Sequence, residues 1–182
     1  DTFFKFYTDP TRYERTGQNN ARALLYDNKN RLWIACKDKT IAIYDNSHNF
    51  LGYLHFDGSV SMQPDTSLGM AYAITQDKSG TIWIGTKGNG LIEVQPGHSS
   101  LHFLLKQYKY SVEDIYSLSH NDIYAVCEDA VGRIWIATFG GGVNYMEQIE
   151  GKTRFINYRN KLKKFPIPLC YRTRDLVSDG NG

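Results

Sequence analysis

Residues 77–86 read DKSGTIWIGT, and this stretch decides the fold because the chain repeats it. Residues 129–138 read DAVGRIWIAT, and residues 27–36 read DNKNRLWIAC, with Asn30 at the position of the glycine. Residues 179–182, DGNG, resemble the opening of a fourth copy. Each full copy contains one tryptophan, and the sequence has no others: Trp33, Trp83 and Trp135.

The tryptophans lie 50 and 52 residues apart, and self-similarity at such a period indicates a repeat architecture. Around each copy, four short runs of apolar and aromatic residues are separated by turns, and none shows helical periodicity. Four short strands per period are typical of one blade of a β-propeller. We therefore predict an all-β fold, a partial β-propeller of about three and a half four-stranded antiparallel blades. The expected segments are the end of a preceding blade at 1–10, blades at 21–58, 70–108 and 122–158, and the start of a next blade at 172–182.

The first four residues of each copy predict a hairpin turn. An aspartate side chain can accept hydrogen bonds from backbone amides just downstream, and glycine takes the left-handed conformation that such a turn needs. Asn30 fits this prediction, because asparagine tolerates that conformation better than other non-glycine residues. A calcium loop is the alternative interpretation, but it needs several oxygen ligands in quick succession, and each turn offers one carboxylate.

The tryptophan strand predicts burial on both faces of its sheet. In the second copy, Trp83 and Gly85 share one face, while Ile82 and Ile84 share the other. A sheet with two apolar faces fits a blade that is packed between two other blades. The small residue two positions after each tryptophan leaves room for a bulky neighbour; these residues are Ala35, Gly85 and Ala137.

Charge and composition exclude several classes of function. The sequence has 21 basic and 19 acidic residues, and its net charge of +2 gives no electrostatic signature of nucleic-acid or membrane binding. No apolar run approaches the ~20 residues of a membrane helix. The three cysteines and five histidines show no metal-ligand spacing, so we expect no metal and no cofactor. Cys36 and Cys127 lie in strand-like runs and are expected to be buried, whereas the environment of Cys170 stays open.

We expect the 182 residues to be a piece of a longer polypeptide, because the chain begins at Asp1 and its repeats are incomplete at both ends. Three and a half blades cannot close a ring, and each apolar blade face requires a neighbour. The expected protein partners are the remaining blades of the parent chain and, where these are absent, a second copy that associates through exposed blade faces.

At these residues the chain resembles the two-component regulator propeller repeats, whose phrase is approximately Asp-x-x-Gly-x-Leu-Trp-Ile-Gly-Thr, followed by a glycine turn and Gly-Leu-Asn-x-Tyr. Residues 77–86 match the first half with isoleucine in place of leucine, and residues 140–145, GGGVNY, match the second half. Residues 117–123, SLSHNDI, resemble the family's lead-in to an inner strand. The first copy departs most from the family pattern, at Asn30 and Cys36.

The resemblance implies a cellular location and a role. Such repeats are similar to those in the periplasmic sensor part of hybrid two-component histidine kinases of Bacteroides-type bacteria, many of which sense oligosaccharides. The resemblance therefore implies a periplasmic ligand-sensing module that performs no chemistry itself. None of the kinase parts is present in these residues.

Two other functions stay open at this point. A propeller enzyme, either a glycosidase or a lyase, would need paired carboxylates, or an acid with a base, at one rim of the channel, and no such pair recurs in the sequence. A purely structural scaffold without a small ligand is also compatible with the repeats.

If a ligand binds, the candidate site is formed by the equivalent positions five residues before each turn aspartate. These positions enter the innermost strand near the channel mouth, where tyrosine can stack on a sugar ring and arginine can bind hydroxyl or carboxylate groups. The alternative interpretation is that these side chains pack between blades or cap a loop. The four candidate ligand-binding residues are Arg22, Tyr72, Tyr124 and Arg174.

Overall fold

The computed structural model describes residues 21–162 and 171–179, and these residues form three antiparallel sheets without a helix. The first sheet contains β1 (Ala21–Tyr26), β2 (Leu32–Cys36), β3 (Ile41–Tyr44), β4 (Phe50–Leu54) and β5 (Val60–Ser61). The second contains β6 (Met70–Gln76), β7 (Ile82–Lys87), β8 (Leu91–Pro96) and β9 (Phe103–Tyr108). The third contains β10 (Ile123–Glu128), β11 (Ile134–Thr138), β12 (Gly142–Ile149) and β13 (Lys152–Ile156).

In each sheet, every strand pairs with the next strand in sequence, so each sheet is an up-and-down meander. The first strands of the three sheets, β1, β6 and β10, lie side by side, and the later strands extend away from them. This arrangement is that of propeller blades around an axis, with the first strand of each blade innermost. The predicted all-β partial β-propeller is therefore confirmed.

The turn of the repeated phrase has the predicted conformation in all three copies. Gly80 and Gly132 have φ angles of 92° and 85°, and Asn30 takes the same left-handed conformation with φ 58°. Each of these residues donates its backbone amide to the carbonyl of the turn aspartate three residues before it. Asparagine therefore replaces glycine where the turn demands a positive φ angle.

The segment after β4 differs from the prediction, which made it a loop. It instead continues into the short fifth strand, β5, whose residues pair with Tyr53 and Leu54. A tight turn brings the chain back, because Gly58 takes a φ angle of 86° and donates its amide to the carbonyl of His55. A strand of two residues gives no detectable alternation in the sequence, so periodicity could not reveal it.

The two faces of the second sheet pack against different neighbours, as predicted. Its Ile82 and Ile84 join a core cluster with Trp33 of the first sheet. On the opposite face, Trp83 joins a second cluster with Ile136 of the third sheet. Trp33 and Trp83 are consequently 0% and 3% exposed, which confirms the burial of the second sheet on both faces.

Gly85 is the point of closest approach between the second and third sheets. A Cβ atom built on Gly85 would lie 2.6 Å from Cγ2 of Ile123, on the innermost strand of the third sheet. The small residue two positions after Trp83 therefore leaves room for a bulky neighbour, as expected. Ala35 and Ala137 occupy the equivalent positions and are completely buried.

The cysteines depart from the prediction, because Cys36 and Cys127 are half-buried rather than buried. Cys36 is the last residue of β2, where the sheet gives way to a turn. Cys127 pairs with Trp135, and that tryptophan is itself only half-buried. Cys170 and the expected strand at 1–10 lie outside the described residues.

The expected start of a next blade at 172–182 is described only up to residue 179. This segment forms a single β-bridge, between Arg172 and Phe139. Thr173 also donates its backbone amide to the carbonyl of Thr138, at the end of β11. The segment thus runs beside the third sheet, and its assignment to a further blade stays a prediction.

Candidate functional site

Each innermost strand contains a β-bulge at the same point of the repeat. Pairing with the second strand shifts between Ala21 and Ala23 in the first sheet, and the other two sheets shift at the equivalent place. A bulge leaves one residue unpaired and re-aims its side chain, and bulges are common next to binding sites. The residues in the bulges are three of the four predicted site residues: Arg22, Tyr72 and Tyr124.

The bulged side chains meet across neighbouring sheets and form a row. The guanidinium carbon of Arg22 lies 5.0 Å from the ring centre of Tyr72. The rings of Tyr72 and Tyr124 follow with centroids 4.6 Å apart and planes inclined by 30°. Tyr124 in turn lies 5.2 Å from the ring of Phe139, at 31°. Three aromatic rings therefore lie one after another, two on innermost strands and the third, Phe139, just after β11.

Arginines also close the other end of the row. The guanidinium carbon of Arg174 lies 5.3 Å from the ring centre of Phe139, and that of Arg172 lies 5.4 Å from it. The structure thus brings all four predicted site residues together, and their role in ligand binding stays a prediction. We call the following six residues the inner row: Arg22, Tyr72, Tyr124, Phe139, Arg172 and Arg174.

Sequence reasoning missed Phe139 and Arg172. Phe139 directly follows β11, at a position where the other copies have Lys37 and Lys87, so the repeat gave no signal for it. Its place is fixed by the backbone, because Phe139 donates its amide to the carbonyl of Asp122, and Gly140 donates to the carbonyl of Tyr171. The one sequence signal for Phe139 was that an aromatic residue precedes the three glycines of this turn.

A buried polar network holds the turn that carries Phe139. Asn144 accepts the backbone amide of Ser119 at 2.9 Å and donates its side-chain amide to the hydroxyl of Ser119 at 2.8 Å. The side-chain amide of Asn157 donates to Asn144 at 3.0 Å. Thr138 donates its hydroxyl to the carbonyl of Gly142 at 2.8 Å. Because a fully paired buried network rigidifies its surroundings, this end of the row is held in place by the fold.

The rings of the inner row are half-buried, and its three arginines are exposed. The contact between Tyr72 and Tyr124 stabilises the packing of two blades. An aromatic pair contributes about 0.5–1.5 kcal/mol to stability in addition to the burial of its apolar surface. The exposed parts of the rings offer apolar faces, and the guanidinium groups offer hydrogen-bond donors. This combination suits a ligand that has both apolar faces and oxygen acceptors.

The repeated aspartates have a structural task. In the second copy, Oδ1 of Asp77 accepts the backbone amides of Ser79 and Thr81 at 2.9 and 3.0 Å. Its Oδ2 accepts the indole N–H of Trp83 at 2.8 Å. The other copies repeat this indole bond, from Trp33 to Asp27 at 2.9 Å and from Trp135 to Asp129 at 2.8 Å.

This carboxylate–indole bond was missed by sequence reasoning, although the constant interval of six residues between aspartate and tryptophan was its signal. Because both carboxylate oxygens are engaged within the turn, the turn is a hairpin anchor rather than a calcium loop. Across the described part of the chain, no group of three or more His, Cys, Asp or Glu side chains is placed to hold a metal ion.

Arginines reinforce the anchor in two copies. Arg31 and Arg133 each donate Nε to Oδ2 of the turn aspartate at 2.6 Å. Burial acts to raise the pKa of Asp129, but the hydrogen bonds from Trp135 and Arg133 outweigh it and hold that pKa well below 3.8. In the second copy Thr81 stands in place of the arginine, so Oδ2 of Asp77 accepts its hydrogen bond from the indole of Trp83.

Neighbouring blades also clamp each other at the turns. The side-chain oxygen of Gln76, at the end of β6, accepts the backbone amide of Asn28 in the preceding blade at 2.7 Å. Glu128, at the equivalent end of β10, accepts the amide of Lys78 at 2.8 Å. These contacts fix the position of each blade relative to the next. They therefore also fix the distances between the side chains of the inner row.

Comparisons with known proteins agree with this architecture. The profile of the family described as two component regulator propeller matches residues 67–88 and 117–140. No curated protein sequence matches the chain. Within the part of the chain that is described, no helix is long and apolar enough to cross a membrane.

Several solved structures share the fold. The extracellular domain of a hybrid two component system from B. thetaiotaomicron is 20% identical with a TM-score of 0.63, and covers 88% of this chain. A second such domain from B. thetaiotaomicron is 24% identical with a TM-score of 0.54, and covers 79%. A beta-propeller domain from Myceliophteria thermophila is 14% identical with a TM-score of 0.52, and covers 85% of this chain and 46% of its own length.

This chain spans only 21% and 19% of the lengths of the two B. thetaiotaomicron domains. The structural similarity to these domains, at such low sequence identity, shows a shared propeller fold and nothing beyond it. The profile match covers the second and third copies of the repeated phrase. Two segments of the chain, residues 67–88 and 117–140, therefore match the two component regulator propeller repeat.

Proposed function

We propose that this chain is part of the extracytoplasmic, periplasmic sensor of a two-component signalling protein and that its inner row binds an oligosaccharide. The family of the repeats supports the signalling role, and the fold shared with extracellular domains of hybrid two component systems supports the location. In this proposal the chain is a binding module that performs no chemistry, and the remaining blades of the parent chain are its partners.

The inner row is the observation that carries the proposal. Saccharides present apolar C–H faces and many hydroxyl groups, and aromatic rings beside hydrogen-bond donors suit both. Tyr72 and Tyr124 supply the rings at equivalent bulges, with Arg22 stacked on Tyr72. The same repeat position therefore supplies sugar-binding chemistry three times in succession.

The position of the row also suggests how binding could be sensed. Arg22, Tyr72 and Tyr124 belong to three different blades, so a ligand along the row contacts three rigid units at once. A ligand shifts an equilibrium only as far as its affinity differs between two arrangements. A saccharide that fits one relative arrangement of blades, propellers or subunits better than another would stabilise that arrangement, and the shift would pass to the membrane.

Isothermal titration calorimetry of the chain against a panel of oligosaccharides tests this function. The panel includes neutral and acidic oligosaccharides of matched length. Tyr72→Ala and Tyr124→Ala are each expected to lower the affinity for the binding saccharide about tenfold, the loss that follows from about 1.4 kcal/mol of aromatic contact.

Tyr110→Ala is the matched control, because Tyr110 also lies beneath an arginine, Arg159 at 4.9 Å, but outside the inner row. Its affinity should equal that of the unmodified chain. Absence of binding to the whole panel, or equal affinities for the Tyr72 and Tyr124 variants and the control, would contradict the proposed function. Incubation of the chain with the same saccharides should leave them uncleaved, and cleavage would instead indicate a glycosidase or lyase.

A further inference from the structure

The arginines of the inner row differ in their partners from three other arginines of the chain, Arg31, Arg133 and Arg159. Arg31 and Arg133 each pair with a turn aspartate at 2.6 Å. Arg159 donates to the hydroxyl of Ser117 at 3.2 Å and to the carbonyl of Val112 at 3.1 Å. By contrast, within the described residues no hydrogen bond or ion pair engages the guanidinium groups of the three arginines of the inner row: Arg22, Arg172 and Arg174.

Of the residues that are described, two carboxylates beside the inner row form no ion pair with these arginines. Asp175 follows Arg174, but its Oδ1 accepts the backbone amide of Leu176 at 2.9 Å. Asp122 lies two residues before Tyr124, and in the described structure neither it nor Asp175 forms an ion pair. The inner row consequently carries three positive charges without an internal counter-charge.

Stacking prepares these arginines to bind an anion. Each guanidinium lies over an aromatic ring, within 5.0–5.4 Å of its centre. A stacked guanidinium keeps its N–H donors at the edge of its plane, where they match the two oxygens of a carboxylate or sulfate. Stacking also restricts the side chain in advance, so less conformational entropy is lost when an anion binds.

Two lysines add to the positive charge at the same end of the blades. Lys87 is the last residue of β7 and pairs with Met70, two residues before Tyr72. Lys37 follows β2, whose last residue pairs with Ala21, the neighbour of Arg22. Both lysines are exposed. Five basic side chains therefore lie in or beside the inner row, although the whole chain has a net charge of only +2.

From this arrangement we propose that the ligand of the inner row is an acidic oligosaccharide, one whose sugars carry carboxylate or sulfate groups. Its anionic groups bind to Arg22 at one end of the row and to Arg172 and Arg174 at the other, while the sugar faces lie against Tyr72 and Tyr124. This inference rests on the proposed function and narrows it to one class of saccharide.

The test compares galacturonate oligosaccharides with neutral galactose oligosaccharides of the same length, and adds a sulfated oligosaccharide to distinguish the two anions. The galacturonate or the sulfated oligosaccharide should bind at least about tenfold more tightly than the neutral one, since a charge-assisted hydrogen bond is worth about 1.5–3 kcal/mol. This preference should shrink as ionic strength rises, because salt screens exposed charges.

The triple variant Arg22→Gln, Arg172→Gln and Arg174→Gln should lose the preference for the acidic ligand and keep any weak affinity for the neutral one. Arg154→Gln is the matched control, because Arg154 also stacks on a ring, that of Tyr116 at 4.7 Å, but lies on the outer strand β13. Circular dichroism verifies that both variants fold. The salt titration uses the unmodified chain, so its result does not depend on the folding of any variant.

The outcomes separate this inference from the proposed function. Neutral and acidic oligosaccharides that bind equally well, or an acidic preference that survives both high salt and the triple variant, would overturn the inference and leave oligosaccharide binding intact. A chain that binds none of the three saccharides would overturn both. Binding of inorganic sulfate as tight as that of the sulfated oligosaccharide would also overturn the inference, because the rings would then contribute nothing.

Discussion

Replacement of Trp83 by alanine should destabilise the chain far more than the same replacement at Trp135. Trp83 is 3% exposed, lies in the cluster that joins the second and third sheets, and supplies the indole bond of 2.8 Å to Asp77. Truncation of a buried tryptophan costs about 3–5 kcal/mol. Trp135 is half-buried, and Arg133 still donates to Asp129 when the indole is removed, so its loss should cost about 2 kcal/mol.

Urea unfolding followed by far-UV circular dichroism measures both variants, because that signal does not depend on the tryptophan removed. For a chain of this size the Trp83 variant should also melt roughly 10 °C below the unmodified chain. Trp83→Phe keeps most of the apolar contact and isolates the indole bond, at about 1–3 kcal/mol. A loss below about 1 kcal/mol for Trp83→Ala, or equal losses at Trp83 and Trp135, would refute the buried-blade reasoning.

Three further predictions follow from the packing and the charges. The folded pKa of Asp129 is depressed, so its ionised form stabilises the fold above its ordinary value of 3.8, and this contribution is lost as pH falls below that value. Asp129→Asn should therefore reduce the urea midpoint at pH 7 and by a smaller amount at about pH 3, where the unfolded state has begun to bind the proton but the folded state has not, and an equal reduction at both would contradict this. Gly85→Ala should cost about 1–3 kcal/mol in urea unfolding, because its Cβ would overlap Ile123, and an unchanged or higher stability would show that the sheets separate freely. Finally, half-covered blade faces such as that of Trp135 should make the chain self-associate, and a monodisperse monomer by light scattering would disprove this.

The architecture could be predicted from the sequence because three copies of the repeat show the same pattern. The alternation around Trp83 predicted two-sided burial, and the exchange of glycine for Asn30 predicted a left-handed turn residue with φ 58°. Both features are local and recur in each repeat, so they can be predicted from residue types and their spacing. The strand β5 has only two residues and therefore shows no alternation, and Cys127 is half-buried beside Trp135, whose exposure no spacing predicts.

The candidate site was predictable only in part. Counting back from the turn aspartates identified Arg22, Tyr72, Tyr124 and Arg174 as equivalent, and the structure places them in one row. The bulges that aim the first three had no visible signature, because a bulge is a mismatch between two strands rather than a property of either. Phe139 joins the row from a different position of the repeat, so only the fold could bring it there.

A crystal structure of the chain with the tightest-binding acidic oligosaccharide of the panel would locate the ligand on the molecule. We expect a sugar ring against Tyr72 or Tyr124 and an anionic group within hydrogen-bonding distance of Arg22, Arg172 or Arg174. A saccharide bound elsewhere on the chain, with the inner row unchanged and free of ligand, would contradict this expectation.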